Sequence, residues 1–225
     1  MSRIFVPSRG PGDWQPLLAD PEKHWATGYS AQTLAHCWED AAGFPSEVLK
    51  VLSRNPILAT AEPLLILPEW EVPLPGGSSA SQNDIWLLAK SAVGLISIAV
   101  EGKVEEPFGP TVGEWKLEAS TGKDRRLAWL TDSLGLSSPI PDSIRYQLLH
   151  RAASAIMEAG RFGARHAAML VHSFSKNDSW FGDFAAFASL FSLSAARDQL
   201  LSTELPNGLP FHLAWIRGDM RFLNA

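Results

Sequence analysis

Two carboxylates and one ammonium group lie where strand geometry would bring them together. The segment NDIWLLAKSAVGLISIAVEGKV, residues 83–104, reads as two strands joined by a turn. Because side chains alternate faces along a strand, Glu101 and Lys103 share one face of the second strand, beside small residues. Asp84 opens the first strand and precedes Glu101 by roughly the length of a hairpin that returns to the same end. Hard carboxylate oxygens beside a lysine suit a divalent cation and a phosphate.

This arrangement resembles the core of the PD-(D/E)XK nuclease superfamily. There, one strand brings in an aspartate and the next carries a Glu-x-Lys triplet after a hydrophobic run. The matching pieces here are Asp84 and Glu101-Gly102-Lys103, which follows SIAV, while Asn83 replaces the proline that names the motif. The resemblance covers residues 63–107 at most. It implies an α/β (α+β) protein with a restriction-endonuclease-like mixed central sheet flanked by helices.

The same resemblance implies a metal site and a reaction. Asp84, Glu101 and the backbone carbonyl of Gly102 would bind Mg²⁺ or Mn²⁺, ions that prefer oxygen ligands. Lys103 would orient or deprotonate a water and stabilise the pentavalent phosphorus. Gln147, early in the helix after the motif strand, completes the expected catalytic set by steadying a phosphate. The predicted reaction is hydrolysis of a phosphodiester, with DNA or RNA as the partner.

Further residues are candidates for the same site. Glu39 and Glu47 lie on helices before the sheet, where the resembled superfamily often adds an acid, although a surface glutamate is the commoner interpretation of each. Glu69 lies on the preceding strand and could point to the same cleft as Asp84. Arg151 lies four residues after Gln147 on one helix face and could steady a phosphate.

Periodicity and chain breakers predict the elements that would position these residues. Helices are expected at 30–39, from Ser46, at 121–134, at 142–161 with Asp142 as its cap, and at 178–193. Strands are expected at 63–74, as an interrupted edge strand, at 167–174 and at 212–217. Residues 1–29 read as an arm, anchored by Trp14 and Trp25, on a single domain that covers residues 1–225.

Composition narrows the class of protein. The 225 residues are 46% hydrophobic and carry a formal net charge of −5, which argues mildly against tight nonspecific binding of duplexes. No apolar run reaches the roughly 20 residues that span a bilayer, and the N-terminus lacks the apolar stretch of a signal peptide. Cys37 is the single cysteine, which excludes an internal disulfide and fits a reducing compartment. A cytoplasmic protein without a membrane partner is expected.

Other interpretations stay open. The PEW, SQND, VEGK and EPFGP segments also resemble those of a bacterial branch for which the resemblance implies a fold but no activity. The chain could therefore be a catalytically inactive binding or regulatory protein on the same fold. Nine tryptophans and eleven phenylalanines are more than one core needs, so a homo-oligomer is a further alternative. Serine hydrolases and zinc enzymes are disfavoured, because neither a G-x-S-x-G elbow nor paired His or Cys ligands occur.

Overall fold

A mixed sheet of six strands forms the centre of the computed structural model, which describes residues 8–41 and 43–225. The strands are β1 (Glu62–Val72), β2 (Ser81–Ser91), β3 (Gly94–Lys103), β4 (His166–Ser173), β5 (Leu200–Glu204) and β6 (Pro210–Arg217). The helices are α1 (Pro21–His24), α2 (Ser30–Ala41), α3 (Ser46–Leu52), α4 (Val112–Lys116), α5 (Thr121–Leu134), α6 (Tyr146–Phe162) and α7 (Phe181–Ser189). Short 3₁₀ turns lie at Pro11–Asp13, Gln15–Leu17, Leu58–Thr60 and Met220–Asn224. The expected α+β class, with a mixed sheet flanked by helices, is confirmed.

The sheet has the strand order β1-β2-β3-β4-β6-β5. Strands β1, β2 and β3 form an antiparallel meander, and β4 and β6 then add in parallel to β3. The predicted hairpin is β2–β3, whose turn lies between Ser91 and Gly94. Strand β1 lies at the sheet edge, and its register shifts between Pro63 and Leu65, as expected for an interrupted edge strand.

Helices cover both faces of the sheet. On one face α6 crosses β3 and β4, and on the other α2 packs on β3 and α3 packs on β6. Ala99 lies on the α6 side, where the helix presents Ala152, Ala153 and Ala155, so small residues let the helix approach the sheet closely. The alternate residues of β3 include Ile98, which packs into the core beneath α2 and α3. Helix α6 therefore lies close above the strands that carry the candidate acids.

Two expectations about elements need correction. The helix predicted from Asp142 begins at Tyr146, with Arg145 as its N-cap. The residues before it instead form a turn that pairs with the chain ahead of α4, where Val112 N donates to Ile144 O at 2.7 Å. Strand β5 was not predicted, because it is only five residues long and its buried and exposed positions do not alternate cleanly. Among the described residues, no helix combines the length and apolar character needed to cross a membrane.

Candidate active site

The register of the β2–β3 hairpin places the two acids side by side. Its last paired residues are Ile85 and Val100, so Asp84 and Glu101 occupy the next opposed positions. Opposed residues of an antiparallel pair project from the same face. Beyond them, the N–H of Gly102 donates to Asp84 Oδ2 at 2.8 Å and fixes that carboxylate at the point where the strands separate.

Three side chains converge on the Glu101 carboxylate. Lys103 Nζ donates to Oε1 at 2.6 Å, and Gln147 Nε2 donates to the same oxygen at 2.8 Å. Arg151 Nε donates to Oε2 at 2.6 Å. Glu101 is only 2% exposed and Lys103 only 4%. The four residues predicted as a catalytic set, Asp84 included, are thus brought together by two strands and α6.

A single guanidinium faces both acids. Besides its bond to Glu101, Arg151 places Nη2 3.7 Å from Asp84 Oδ1. Its Nη1 donates to Ser81 Oγ at 3.2 Å, and Ser81 Oγ lies 2.7 Å from His150 Nδ1. Ser81 was missed by sequence reasoning, since a serine that opens a strand carries no motif. We call Asp84, Glu101, Lys103, Gln147 and Arg151 the acid–lysine cluster.

Glu69 extends the cluster from β1. The ladder pairs that flank it place Glu69 across from Asp84, and its Oε2 accepts a hydrogen bond from Gln82 Nε2 at 3.1 Å. Its φ is 51°, a left-handed conformation that a non-glycine residue rarely adopts within a strand. Such strain persists only where the surrounding structure imposes it, and it concentrates at functional sites. Glu69 lines the same cleft as Asp84.

Burial and charge set the protonation of the three acids. Burial raises the pKa of Asp84 to about 7, and the negative charge of Glu101 adds to that shift. Burial and the nearby Asp84 raise the pKa of Glu69 to about 9. Burial acts on Glu101 in the same direction, but Lys103 and Arg151 outweigh it and hold the pKa of Glu101 below its usual value. With Glu69 included, three carboxyl groups face two cations, and the raised pKa values of Asp84 and Glu69 mean that bound protons help to balance the charge near neutral pH.

Gly102 cannot be replaced without disturbing its neighbours. A Cβ at this position would lie 3.2 Å from Leu34 Cδ2 and 3.4 Å from both Ser30 Cβ and Asp84 Oδ2. The start of α2 therefore packs directly on the backbone between Glu101 and Lys103. This close approach explains why the central residue of the triplet is glycine.

The acid–lysine cluster lies at the bottom of a cleft of about 810 Å³. A family described as a domain of unknown function, DUF6946, matches residues 7–220. The chain belongs to this family. The matched span contains every residue of the cluster, so the DUF6946 domain carries the whole candidate site. No curated protein and no solved structure matches the chain.

The donor set of the DUF6946 domain fits a divalent cation. Asp84 Oδ1 lies 3.7 Å from Arg151 Nη2, beyond hydrogen-bond distance, and is open to a ligand. The N–H and C=O of Lys103 point toward β4, and its carbonyl accepts a hydrogen bond from Phe174 N. Because these groups alternate sides along a strand, the N–H and C=O of Gly102 point toward Asp84. Carboxylate and carbonyl oxygens suit Mg²⁺ or Mn²⁺. Asp84, Glu101 and the Gly102 carbonyl are therefore compatible with the expected metal site.

Glu39, a possible further acid of this site, does not join it. Its carboxylate accepts from Trp14 Nε1 at 2.7 Å and also from Ser8 Oγ, and it does not line the cleft. Helix α2 turns that residue toward the N-terminal arm, so Glu39 anchors the arm. The start of the same helix, at Ser30, does line the cleft.

Glu47 belongs to a separate cluster on the opposite face of the sheet. Its Oε1 lies 3.0 Å from His172 Nε2 and 3.6 Å from Cys37 Sγ, a combination that could also hold a metal ion. However, Trp38 Nε1 donates to His172 Nδ1 at 3.2 Å. A neutral histidine that accepts at Nδ1 carries its proton on Nε2, so Nε2 donates to Glu47 and is not free to bind a metal. The group is best described as a buried hydrogen-bond chain.

Proposed function

We propose that this protein is a metal-dependent nuclease that hydrolyses phosphodiester bonds in nucleic acids, on a restriction-endonuclease-like sheet. The observation that carries the proposal is that one guanidinium, Arg151, faces both Asp84 and Glu101. Two acids from neighbouring strands and the ammonium of Lys103 then occupy one small volume at the bottom of a cleft. The resemblance of the Asp84 and Glu101-Gly102-Lys103 pieces to PD-(D/E)XK nucleases supports the same reaction.

The roles follow from the contacts of each side chain. Asp84, Glu101 and the Gly102 carbonyl would hold Mg²⁺ or Mn²⁺. When bound, the ion would lower the pKa of a bound water and offset charge on the phosphate. Lys103 is placed to donate to a phosphate oxygen and to stabilise the charge that develops there. Gln147 fixes the orientation of the Glu101 carboxylate through a bond of 2.8 Å. In the reaction, a water oxygen bonds to phosphorus, the bond from phosphorus to one sugar oxygen breaks, and one proton of the water ends on that sugar oxygen.

A second candidate is a catalytically inactive binding or regulatory protein on the same fold. It is favoured by one observation: Glu101 already receives hydrogen bonds from Lys103, Gln147 and Arg151. A carboxylate so fully bonded has its charge balanced by protein groups. In that case the cluster would stabilise the sheet end and bind no cation.

Hydrolysis of a small phosphodiester distinguishes the two candidates. The wild type is assayed on bis(p-nitrophenyl) phosphate and on mixed nucleic acids with Mg²⁺ or Mn²⁺, beside Asp84→Asn and Lys103→Met. Each variant should lose about a hundredfold or more in rate, because each removes an interaction with the reacting phosphate or its metal. Glu71→Gln, at an exposed position of β1, is the matched control and should keep full activity. Activity that survives both cluster variants, with circular dichroism unchanged, would exclude this mechanism.

A further inference from the structure

A second cavity adjoins the candidate active site. It has a volume of about 290 Å³ and shares Ala80, Tyr146 and His150 with the larger cleft. Its described lining includes two cations, Lys123 and Arg126, and no carboxylate. In a chain of net charge −5, such a lining is locally positive and favours an anionic ligand. We call this space the side cavity.

The two cations of the side cavity are held in place by main-chain oxygens. Arg126 Nη2 donates to Leu74 O at 2.9 Å and to Ser79 O at 3.0 Å. Lys123 Nζ donates to Trp115 O at 2.8 Å and lies 5.4 Å from the centroid of the Trp115 ring. Neither cation is paired with a carboxylate in these contacts. Their charge therefore remains available to a ligand in the cavity.

Aromatic side chains form another wall of the side cavity. The rings of Trp115 and Tyr146 stack with centroids 4.1 Å apart and 12° between their planes, and the ring of His150 lies 4.9 Å from that of Tyr146. Tyr146 and His150 stand at the junction with the cleft. Aromatic surfaces next to fixed positive charge are the combination that binds single-stranded nucleic acid through base stacking and phosphate contacts.

Hydrogen bonds tie the N-terminal arm and the start of α2 to the rim of the large cleft. Gln82 Nε2 donates to Leu17 O at 3.2 Å, and Ser30 N donates to Glu106 Oε1 at 3.0 Å. Trp14, which is 4% exposed, anchors the same arm in the core. The resulting volume is that of a site for a small ligand, whereas a duplex is bound along an open face with many phosphate contacts.

We propose that the cleft takes single-stranded nucleic acid, with one phosphate at the acid–lysine cluster and the neighbouring nucleotide in the side cavity. This inference rests on the proposed function and narrows its substrate class. A single strand can bend and present one phosphate at a time, which a cleft of about 810 Å³ requires. Base pairing would keep the neighbouring nucleotide out of the side cavity, because both faces of its base are stacked within the duplex.

Binding measured without turnover tests the inference separately from catalysis. Fluorescein-labelled single strands of DNA and of RNA, about 12 nucleotides long, and the corresponding duplexes are titrated with the protein in EDTA at fixed salt. Fluorescence anisotropy should show at least about tenfold tighter binding of a single strand than of its duplex. The DNA and RNA arms identify which of the two is preferred.

A matched pair of variants tests the side cavity. Lys123→Gln removes a cation that lines it but retains a donor for Trp115 O, and Arg125→Gln removes an exposed cation of the same helix that does not line it. Lys123→Gln should weaken single-strand binding by about fivefold, whereas Arg125→Gln should change it by less than about twofold. Arg125→Gln should also leave the rate on bis(p-nitrophenyl) phosphate unchanged, because Arg125 lines neither the side cavity nor the large cleft.

The outcomes separate the two proposals. Duplex binding as tight as single-strand binding, or equal losses in Lys123→Gln and Arg125→Gln, would overturn the inference whatever the enzyme activity. Single-strand preference without any hydrolysis of bis(p-nitrophenyl) phosphate would leave the ligand class standing and refute the nuclease. Hydrolysis of the small substrate without single-strand preference would refute the ligand class and leave the nuclease standing.

Discussion

Arg151 and Glu101 form an almost fully buried ion pair, with Nε 2.6 Å from Oε2. We expect Arg151→Met to lower the free energy of unfolding by about 3 kcal/mol, because it removes one of the two cations that balance a buried carboxylate. Urea unfolding at neutral pH measures the change. The double variant with Glu101→Gln should lose less than the sum of the two single variants.

The surface pair of Arg217 and Asp198 supplies the control for this prediction. Its atoms also lie 2.6 Å apart, but the Arg217 side chain is 57% exposed. Solvent screens such a pair, so Arg217→Met should cost at most about 1 kcal/mol. Equal losses in Arg151→Met and Arg217→Met would contradict the special role of the buried pair.

The raised pKa values of two acids predict how stability depends on pH. The pKa of Asp84 is raised from 3.8 to about 7 and that of Glu69 from 4.5 to about 9. At these two groups the folded protein without metal binds more protons than the unfolded chain. Below about pH 6.5 the lowered pKa values of His150, His166 and His212 act in the opposite direction, so the free energy of unfolding should fall with rising pH mainly from about 7 to 9. Thermal unfolding across this range checks the slope, and the difference between the wild type and Asp84→Asn measures the contribution of Asp84, which is lost between about pH 4 and 7.

A divalent cation should oppose that loss of stability. At pH 8, where Asp84 is mostly ionised, Mn²⁺ would bind the carboxylates of the cluster and raise Tm by several degrees, since about 1 kcal/mol corresponds to about 2–4 °C in a protein of this size. Below pH 7 the ion competes with a proton on Asp84, so the shift should shrink. A shift of the same size in Asp84→Asn would show that Mn²⁺ binds elsewhere.

Backbone strain at Glu69 gives a prediction about glycine. At φ 51° a glycine is unstrained, so Glu69→Gly should raise the free energy of unfolding by about 1 kcal/mol at pH 8. Glu71, two residues along β1, is exposed and has no such conformation among the described backbone outliers. Glu71→Gly should therefore lower it by about 0.5–1 kcal/mol. Changes of the same sign in both variants, measured by urea unfolding, would rule out strain relief.

The thiol of Cys37 should be inert in the folded protein. Burial, with the negative charge of Glu47 beside it, raises the pKa of the thiol, and the residue is 1% exposed. Reaction with a chromogenic thiol-reactive disulfide at pH 8 should be about a hundredfold slower than in urea, because only an accessible thiolate reacts. Fast labelling of the native protein would indicate that α2 opens locally.

Much of the candidate site was predictable because it depends on local periodicity. Alternation along β3 puts Glu101 and Lys103 on one face, and helical spacing puts Gln147 and Arg151 on another. The contacts that join different elements were not predictable. Glu39 and Glu47 looked equivalent in the sequence, and only the packing of α2 and α3 directs one to Trp14 and the other to His172.

Conformation and capping were the other sources of error. Asp142 has the side chain of a helix cap, but it lies within a turn that pairs with the chain ahead of α4, and α6 starts later. The left-handed backbone of Glu69 has no signal at all in a stretch of strand-forming residues. Ser81 accepts a hydrogen bond from Arg151, which is far away in the sequence, and such a contact can be recognised only in the structure.

The sequence positions of the charged residues in the site affect the order in which they meet during folding. Glu69, Asp84 and Glu101 belong to one local meander, whereas Arg151 comes 50 residues after Glu101. Contacts that are close in sequence form early, so the acids meet before the arginine of α6 arrives to neutralise them. A divalent ion present at that moment would relieve their repulsion. It would thereby speed the assembly of the meander before any substrate is encountered.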